Sequence, residues 1–211
     1  MNAAVAILQA HPLIAILRGV APDEVLGVAD ILLGAGFRAI EVPLNSPQPF
    51  LSIERLAGHV AGDVAIGAGT VLTPDQVDAA ASAGAGLILA PNCHTGVIRR
   101  TVGRGLYSMP GVATPTEAFA ALDAGAHALK LFPADVLGTV SVKAWKAVLP
   151  MGVGLFAVGG IGADNLPRFR DAGVQGAGLG SSLYVPGMPL DELGRRARRL
   201  LTAWAESPVK A

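Results

Sequence analysis

Short apolar runs alternate with segments of helical spacing along the whole chain. Each run is bounded by glycine or polar residues, and each intervening Ala-rich segment places its apolar side chains on one helical face. This alternation predicts β-strands separated by α-helices, in the order that builds a parallel sheet. The predicted strands cover residues 13–20, 39–44, 65–71, 87–91, 106–109, 128–132, 155–158 and 176–183.

Turn and cap residues support this division. Thr73-Pro74 and Thr114-Pro115 each place proline at a first helical position, where its missing N–H leaves no donor unsatisfied. Similar start signals occur at residues 22–24 and 164–165. Several helical segments close with Ala-Gly, and glycine readily adopts the left-handed conformation that ends a helix. These pairs are at residues 35–36, 83–84, 124–125 and 172–173.

Eight strand and helix pairs in 211 residues predict a (β/α)₈ barrel near the lower size limit of that fold. We expect a single α/β domain over residues 1–211, with a short N-terminal helix before the first strand. An open doubly wound sheet is the alternative. Its Gly-x-Gly-x-x-Gly fingerprint is missing after the first predicted strand.

The amino-acid composition of the chain excludes some classes of protein and disfavours others. Hydrophobic residues make up 52% of the chain, charged residues 15%, and the formal net charge is zero. This excludes a disordered chain and disfavours a nucleic-acid partner. The single cysteine, Cys93, and the absence of a signal peptide or long apolar span predict a cytoplasmic protein without a membrane partner. The arginine-rich stretch 195–199 is interpreted as a solvated helix face.

Lys130 is the most unusual of the four lysines, because it lies inside an apolar strand segment. Burial lowers the pKa of an ammonium group and yields an amine nucleophile. Lys143, Lys146 and Lys210 are interpreted as surface charges. The alternative for Lys130 is a structural pairing with a carboxylate.

Glu41 lies between Ile40 and Val42 in another predicted strand. A carboxyl group in an apolar interior has a raised pKa and can transfer a proton near neutral pH. If both side chains face inward, Glu41 and Lys130 point into one central volume. A buried salt bridge without chemistry is the alternative.

Gly159-Gly160 follows the seventh predicted strand, and Gly178-Leu179-Gly180-Ser181 belongs to the eighth predicted strand and its exit. The loops after strands seven and eight form the phosphate site of many barrels, because bare backbone N–H groups can approach an anion closely. We therefore expect a phosphorylated ligand.

Smaller polar features end other strands. Arg18 suits a carboxylate or phosphate, and Asn45-Ser46 is a candidate for substrate hydroxyls. Thr70 lies within the Gly-Ala-Gly-Thr-Val segment of the third strand, and Pro91 ends the fourth. The alternative interpretation of each of these residues is that it serves only to form a turn.

No metal site or cofactor is expected, since the four histidines are scattered. Cys93 beside His94 is a weak candidate for a reactive thiolate, because no third orienting group is evident.

Five segments together resemble the 2-keto-3-deoxy-6-phosphogluconate and 6-phosphogalactonate aldolase family. They are Ile-Glu-Val at 40–42, Gly-Ala-Gly-Thr-Val at 67–71, Ala-Leu-Lys-Leu-Phe-Pro at 128–133, Val-Gly-Gly at 158–160 and Gly-Ser at 180–181. The resemblance covers nearly the whole chain. Pro43 and Val158 resemble the galactonate branch, since the gluconate branch typically has threonine at both positions.

The resemblance implies a metal-free class I aldolase, usually a homotrimer. It implies Lys130 as the Schiff-base lysine and Glu41 as the general acid/base. It assigns Gly160, Gly180 and Ser181 to the phosphate, and Arg18 and Thr70 to the carboxylate region. The remaining expected substrate contacts are Pro91, Phe132, Val158 and Gly159.

The expected reaction cleaves a phosphorylated 2-keto-3-deoxy acid to pyruvate and glyceraldehyde 3-phosphate in galactonate degradation. Three alternatives remain open at this point. They are the gluconate epimer as main substrate, a phosphosugar isomerase or epimerase, and a non-catalytic phosphosugar-binding protein.

Overall fold

A computed structural model describes residues 3–206 and has the predicted α/β architecture. Its strands are β1 Leu13–Ile16, β2 Ala39–Pro43, β3 Ala65–Gly69, β4 Leu87–Leu89, β5 Tyr107–Met109, β6 Gly111–Val112, β7 Ala128–Leu131, β8 Gly154–Val158 and β9 Gly176–Leu179. Its helices are α1 Ala3–Ala10, α2 Val25–Ala35, α3 Pro49–His59, α4 Pro74–Ser82, α5 Thr95–Gly103, α6 Pro115–Asp123, α7 Ala134–Lys146, α8 Leu166–Ala172 and α9 Leu190–Ala205.

The strands form one parallel sheet in the order β5-β4-β3-β2-β1-β9-β8-β7-β6. β5 lies within the fifth predicted strand, residues 106–109, and β6 is a continuation of it beyond Pro110 that was not predicted. β5 pairs with β4, and β6 pairs with β7. Strand five thus joins both ends of the sheet, and the predicted (β/α)₈ barrel with its N-terminal helix is confirmed.

The first and last strands are shorter than predicted. β1 ends at Ile16, and the chain then turns through Gly19, whose φ is +83°. β9 ends at Leu179, after which the N–H groups of Leu183 and Tyr184 both donate to the Gly180 carbonyl. Apolar residues continue past both strand ends because they pack beneath the turns, as buried Val20 and Leu183 do.

Alternation along each strand separates an inner from an outer core. Ala39 of β2 and Ala128 of β7 belong to the inner cluster, which Ala4 and Leu8 of α1 close at the amino-terminal end of the barrel. Ile40 and Leu129 belong to the larger layer between strands and helices. With a side-chain period of two, Glu41 and Lys130 therefore lie on the inner face.

The predicted helix signals are present. Thr73 and Thr114 form capping boxes with Gln76 and Glu117, directly before the first-turn prolines. The glycines of all four Ala-Gly pairs have positive φ. Local sequence thus sets where these helices begin and end.

Replacing Thr114 with alanine is expected to lower the free energy of unfolding by about 1 kcal/mol. The Thr114 side chain accepts a hydrogen bond from the Glu117 N–H at 3.3 Å, and alanine leaves that donor without its cap. Urea denaturation measures the change. Thr116→Ala, on the exposed surface of the same turn, is the matched control and should change stability less.

Candidate active site

A cavity of about 540 Å³ lies at the carboxyl-terminal ends of the strands. Nine of the eleven predicted site residues line it: Arg18, Glu41, Lys130, Phe132, Val158, Gly159, Gly160, Gly180 and Ser181. β2 and β7 are four strands apart in the sheet order, so Glu41 and Lys130 face each other from opposite sides of the barrel.

Thr70 and Pro91 are not among the residues that line this cavity. Thr70 directly follows β3, and Pro91 lies two residues beyond the end of β4, at the same end of the barrel. Thr70 has φ +56°, a left-handed conformation that is strained for a β-branched residue. Such strain is often concentrated at functional sites, so Thr70 remains a candidate.

The cavity also includes residues outside the predicted set of eleven site residues. They are Ile16, Ile161, Gly162, Gly178 and Ser182. All belong to predicted strands or to the glycine-rich loops that follow them, so the loop pattern was the available signal.

Lys130 lies on the inner face of β7 and is only 6% exposed. Its Nζ is 4.6 Å from the centroid of the Phe132 ring. Burial lowers the pKa of Lys130 below its ordinary value of 10.5, the nearby Glu41 carboxylate opposes this effect, and Arg18 adds to it. More of the neutral amine is therefore present than for a surface lysine.

Glu41 is 2% exposed and forms no direct ion pair with Lys130 in the described chain. Burial raises its pKa above the ordinary 4.5, against the opposing charges of Lys130 and Arg18. Its buried Oε2 has no hydrogen-bond partner within the described residues. Oε1 lies over Gly69, where a Cβ would overlap it. The carboxyl group thus has a free acceptor inside the barrel.

Arg18 lies at the cavity mouth, where its Nη1 donates to Oδ1 of Asn45 at 2.7 Å. The next residue, Gly19, donates its N–H to the Ser46 hydroxyl oxygen at 2.9 Å. Asn45 and Ser46, predicted as candidates for substrate hydroxyls, therefore join the loops after β1 and β2. Asn45 also orients the guanidinium of Arg18.

The loop after β8 requires glycine at two successive positions. Gly159 and Gly160 have φ of +94° and +66°. A Cβ on Gly160 would also overlap the Asp135 carboxylate, and the Asp135 N–H donates to the Gly159 carbonyl at 3.1 Å. Asp135 was not predicted, because its proximity depends on how α7 follows the Lys130 strand.

The loop after β9 lies against the loop after β8. The Ser182 hydroxyl donates to the Ile161 carbonyl at 2.7 Å, which joins the two loops. In the described part of the chain, the backbone N–H groups of Gly160, Ile161, Ser181 and Ser182 donate to no other group. These N–H groups on two adjacent loops can bind an anion.

Other features do not add chemistry to this cavity. Residues 3–206 contain no cluster of His, Cys, Asp and Glu that could hold a metal ion. The Cys93 thiol donates to the Glu117 carbonyl at 3.3 Å, and burial raises its pKa. No helix in the described range is long and apolar enough to span a membrane.

A closed (β/α)₈ barrel with a buried amine and a buried carboxyl group in one cavity at its carboxyl-terminal end has the architecture of a barrel enzyme. Residues 5–190 match the model of the aldolase family described as KDPG and KHG aldolase. The chain belongs to this family of lyases.

Relatives agree with this membership. The chain is 50% identical over 196 residues to the 2-dehydro-3-deoxy-6-phosphogalactonate aldolase of Escherichia coli K12, covering 93% of this chain and 96% of the relative. A native KDPGal structure, also 50% identical, has a TM-score of 0.90 over 92% of this chain and 94% of its own.

A more distant structure is KDPG aldolase from Legionella pneumophila, with pyruvate captured as a covalent carbinolamine intermediate. It is 27% identical, with a TM-score of 0.79 over 96% of this chain and 97% of its own.

Proposed function

We propose that the protein cleaves 2-dehydro-3-deoxy-6-phosphogalactonate to pyruvate and D-glyceraldehyde 3-phosphate. The observation that carries this proposal is the pair of buried side chains Lys130 and Glu41, which face each other across one cavity. The 50% identity to the Escherichia coli enzyme of that name supports the substrate.

Lys130 is the nucleophile of this proposal. Its neutral Nζ attacks the C2 carbonyl of the keto acid, and the resulting carbinolamine loses water to give an iminium. The carbinolamine of the Legionella relative supports this order of events. The iminium is the electron sink, so the proposed reaction uses no cofactor or metal.

Glu41 transfers the protons, through a water molecule. Its carboxylate accepts the C4 hydroxyl proton while the C3–C4 bond breaks and its electron pair moves into the iminium, leaving an enamine and the aldehyde. Glu41 then returns a proton to C3, and hydrolysis of the imine releases pyruvate and the free Lys130 amine. The raised pKa of Glu41 suits both directions of transfer.

The two ends of the substrate bind to different loops. Arg18 and Thr70 bind the carboxylate region, with Pro91 and Phe132 beside it. Gly160, Gly180 and Ser181 bind the phosphate together with Gly159. The free N–H groups of Gly160 and Ser181 support the phosphate assignment.

Val158 accounts for the preferred epimer. It lies directly before Gly159 on the cavity wall. The two substrates differ in configuration at one hydroxyl-bearing carbon, and a valine here offers no hydroxyl to bind the gluconate configuration.

We further propose that the single-domain chain assembles as a homotrimer in the cytoplasm, as the family resemblance implies. Val136 and Val140 of α7 are 78% and 79% exposed, and exposed apolar side chains of this kind are often covered in oligomers.

A pyruvate-release assay with the two epimers side by side tests the substrate. We expect the galactonate epimer to have kcat/KM about tenfold or more above that of the gluconate epimer, the range over which one pocket group usually discriminates. Val158→Thr should narrow this ratio. Faster cleavage of the gluconate epimer would reverse the assignment, and pyruvate release from neither would refute the proposed function.

A further inference from the structure

Asn165 occupies the N-cap position of α8 but does not cap that helix. Its side chain makes no hydrogen bond to the first turn. Instead, Nδ2 donates to the Gly160 carbonyl at 2.8 Å, and Oδ1 accepts from the Gly162 N–H at 2.9 Å. One side-chain amide therefore binds both ends of the Gly160–Ile161–Gly162 segment.

These two bonds fix the direction of the peptide between Gly160 and Ile161. In a trans peptide the carbonyl and the N–H point in opposite directions. Since the Gly160 carbonyl points to Asn165, the Ile161 N–H points away from Asn165. Gly160 and Ile161 both line the cavity, and their N–H groups have no acceptor in the described chain.

This loop needs an external constraint. Gly160 has φ of +66°, and glycine has the largest conformational freedom of any residue. A flexible loop that becomes ordered only when its ligand binds loses conformational entropy at that moment, and this loss weakens the affinity for the ligand. The Asn165 amide holds the loop in one conformation before an anion arrives, and the Ser182 hydroxyl on the Ile161 carbonyl adds a second restraint.

We propose that Asn165 is a positioning residue for the phosphate group of the substrate, which it serves by orienting the N–H groups of Gly160 and Ile161 into the cavity. The inference rests on the proposed function, because it presupposes that the loops after β8 and β9 bind a phosphate. Asn165 itself contacts backbone groups of the loop, and its effect on the ligand passes through them.

Asn165→Ala is the first test. Loss of the two loop bonds is expected to raise KM for the phosphorylated substrate about tenfold, with kcat within about threefold of the parent value. Titration with inorganic phosphate should show a Kd about tenfold higher than that of the parent. Borohydride trapping of pyruvate, which has no phosphate, should proceed at the parent rate.

Asn165→Asp is the second variant, because it keeps the size of the side chain and the acceptor for the Gly162 N–H while removing the donor to the Gly160 carbonyl. It is expected to fold and to bind phosphate at least tenfold more weakly than the parent, because the new carboxylate repels the Gly160 carbonyl oxygen as well as failing to donate to it. Asp164→Ala is the matched control. It removes an exposed ion pair with Arg199 at the same helix start and should leave KM and phosphate binding unchanged.

Each result decides between the two proposals. Parent-like KM and phosphate affinity in a folded Asn165→Asp protein would overturn the role of Asn165 while leaving the aldolase function intact. Equal slowing of pyruvate trapping and of cleavage would also overturn it, since that pattern indicates a general structural role. A parent protein that traps pyruvate but binds no phosphate would refute the proposal that the loops after β8 and β9 bind a phosphate.

Discussion

Replacing Lys130 with methionine is expected to abolish carbon–carbon cleavage, with kcat lower by about 10⁴-fold or more. Methionine matches the length of the side chain but has no amine to attack a carbonyl. The protein should remain folded, because methionine is apolar and of similar size, and because burial raises the pKa of Glu41, which favours its neutral form once the Lys130 charge is gone. A steady-state pyruvate assay and a thermal melt measure the two effects.

Covalent trapping locates the nucleophile directly. In the parent protein, pyruvate is expected to form an iminium with the Lys130 Nζ, and hydride from borohydride should reduce C2 to leave a stable secondary amine. Peptide mass spectrometry should find the adduct at Lys130 and nowhere else. Lys143→Met, which removes an exposed lysine of α7, is the matched control and should retain both cleavage and the adduct. An unmodified Lys130 in the parent would refute the proposed mechanism.

The pH dependence of trapping follows from the direction of the pKa shift. Only the neutral amine attacks, so the rate of adduct formation should rise with pH as Lys130 loses its proton. Because burial lowers the Lys130 pKa, the midpoint of this rise should lie below 10.5. The same shift means that the folded protein binds fewer protons here than the unfolded chain, so this group favours folding more as pH rises toward 10.5.

Much of the fold was predictable because the determining signals are local. The Ala-Gly pairs and the Thr-Pro caps bound the helices by backbone chemistry that involves only neighbouring residues. The ends of β1 and β9 were not predictable in this way. Val20 and Leu183 continue the apolar pattern but are buried under turns, and burial alone does not distinguish a strand residue from a turn residue.

The residues of the candidate site also differ in whether local sequence signals could identify them. Lys130 and Glu41 were evident because a charged residue within an apolar strand is rare, and the barrel topology determines which end they share. Asn165 was interpreted only as a helix start. Its side chain instead bonds to the Gly160 carbonyl and the Gly162 N–H, which belong to the loop before the helix. No periodic pattern in the sequence predicts that this loop folds back against Asn165.

Replacing Glu41 with glutamine is expected to slow cleavage by about 10² to 10⁴-fold while pyruvate trapping at Lys130 stays measurable. Glutamine keeps the shape of the side chain but neither accepts nor returns a proton under these conditions. In the parent, the cleavage rate should rise with pH as Glu41 ionises, with a midpoint above 4.5 because burial raises its pKa. In the pH profile of Glu41→Gln, this rise of the cleavage rate with pH should be absent.

Two further variants separate the chemistry of Glu41 from its position. Glu54→Gln removes a carboxylate from the exposed face of α3 and should leave the rate and its pH profile unchanged. Gly69→Ala retains the carboxyl group but displaces it, because a Cβ there overlaps Oε1 of Glu41. It should therefore slow cleavage while preserving an ionising group. A Glu41→Gln protein that cleaves the substrate as fast as the parent would show that Glu41 is not the proton-transfer group, because the glutamine amide cannot take its place as acid or base.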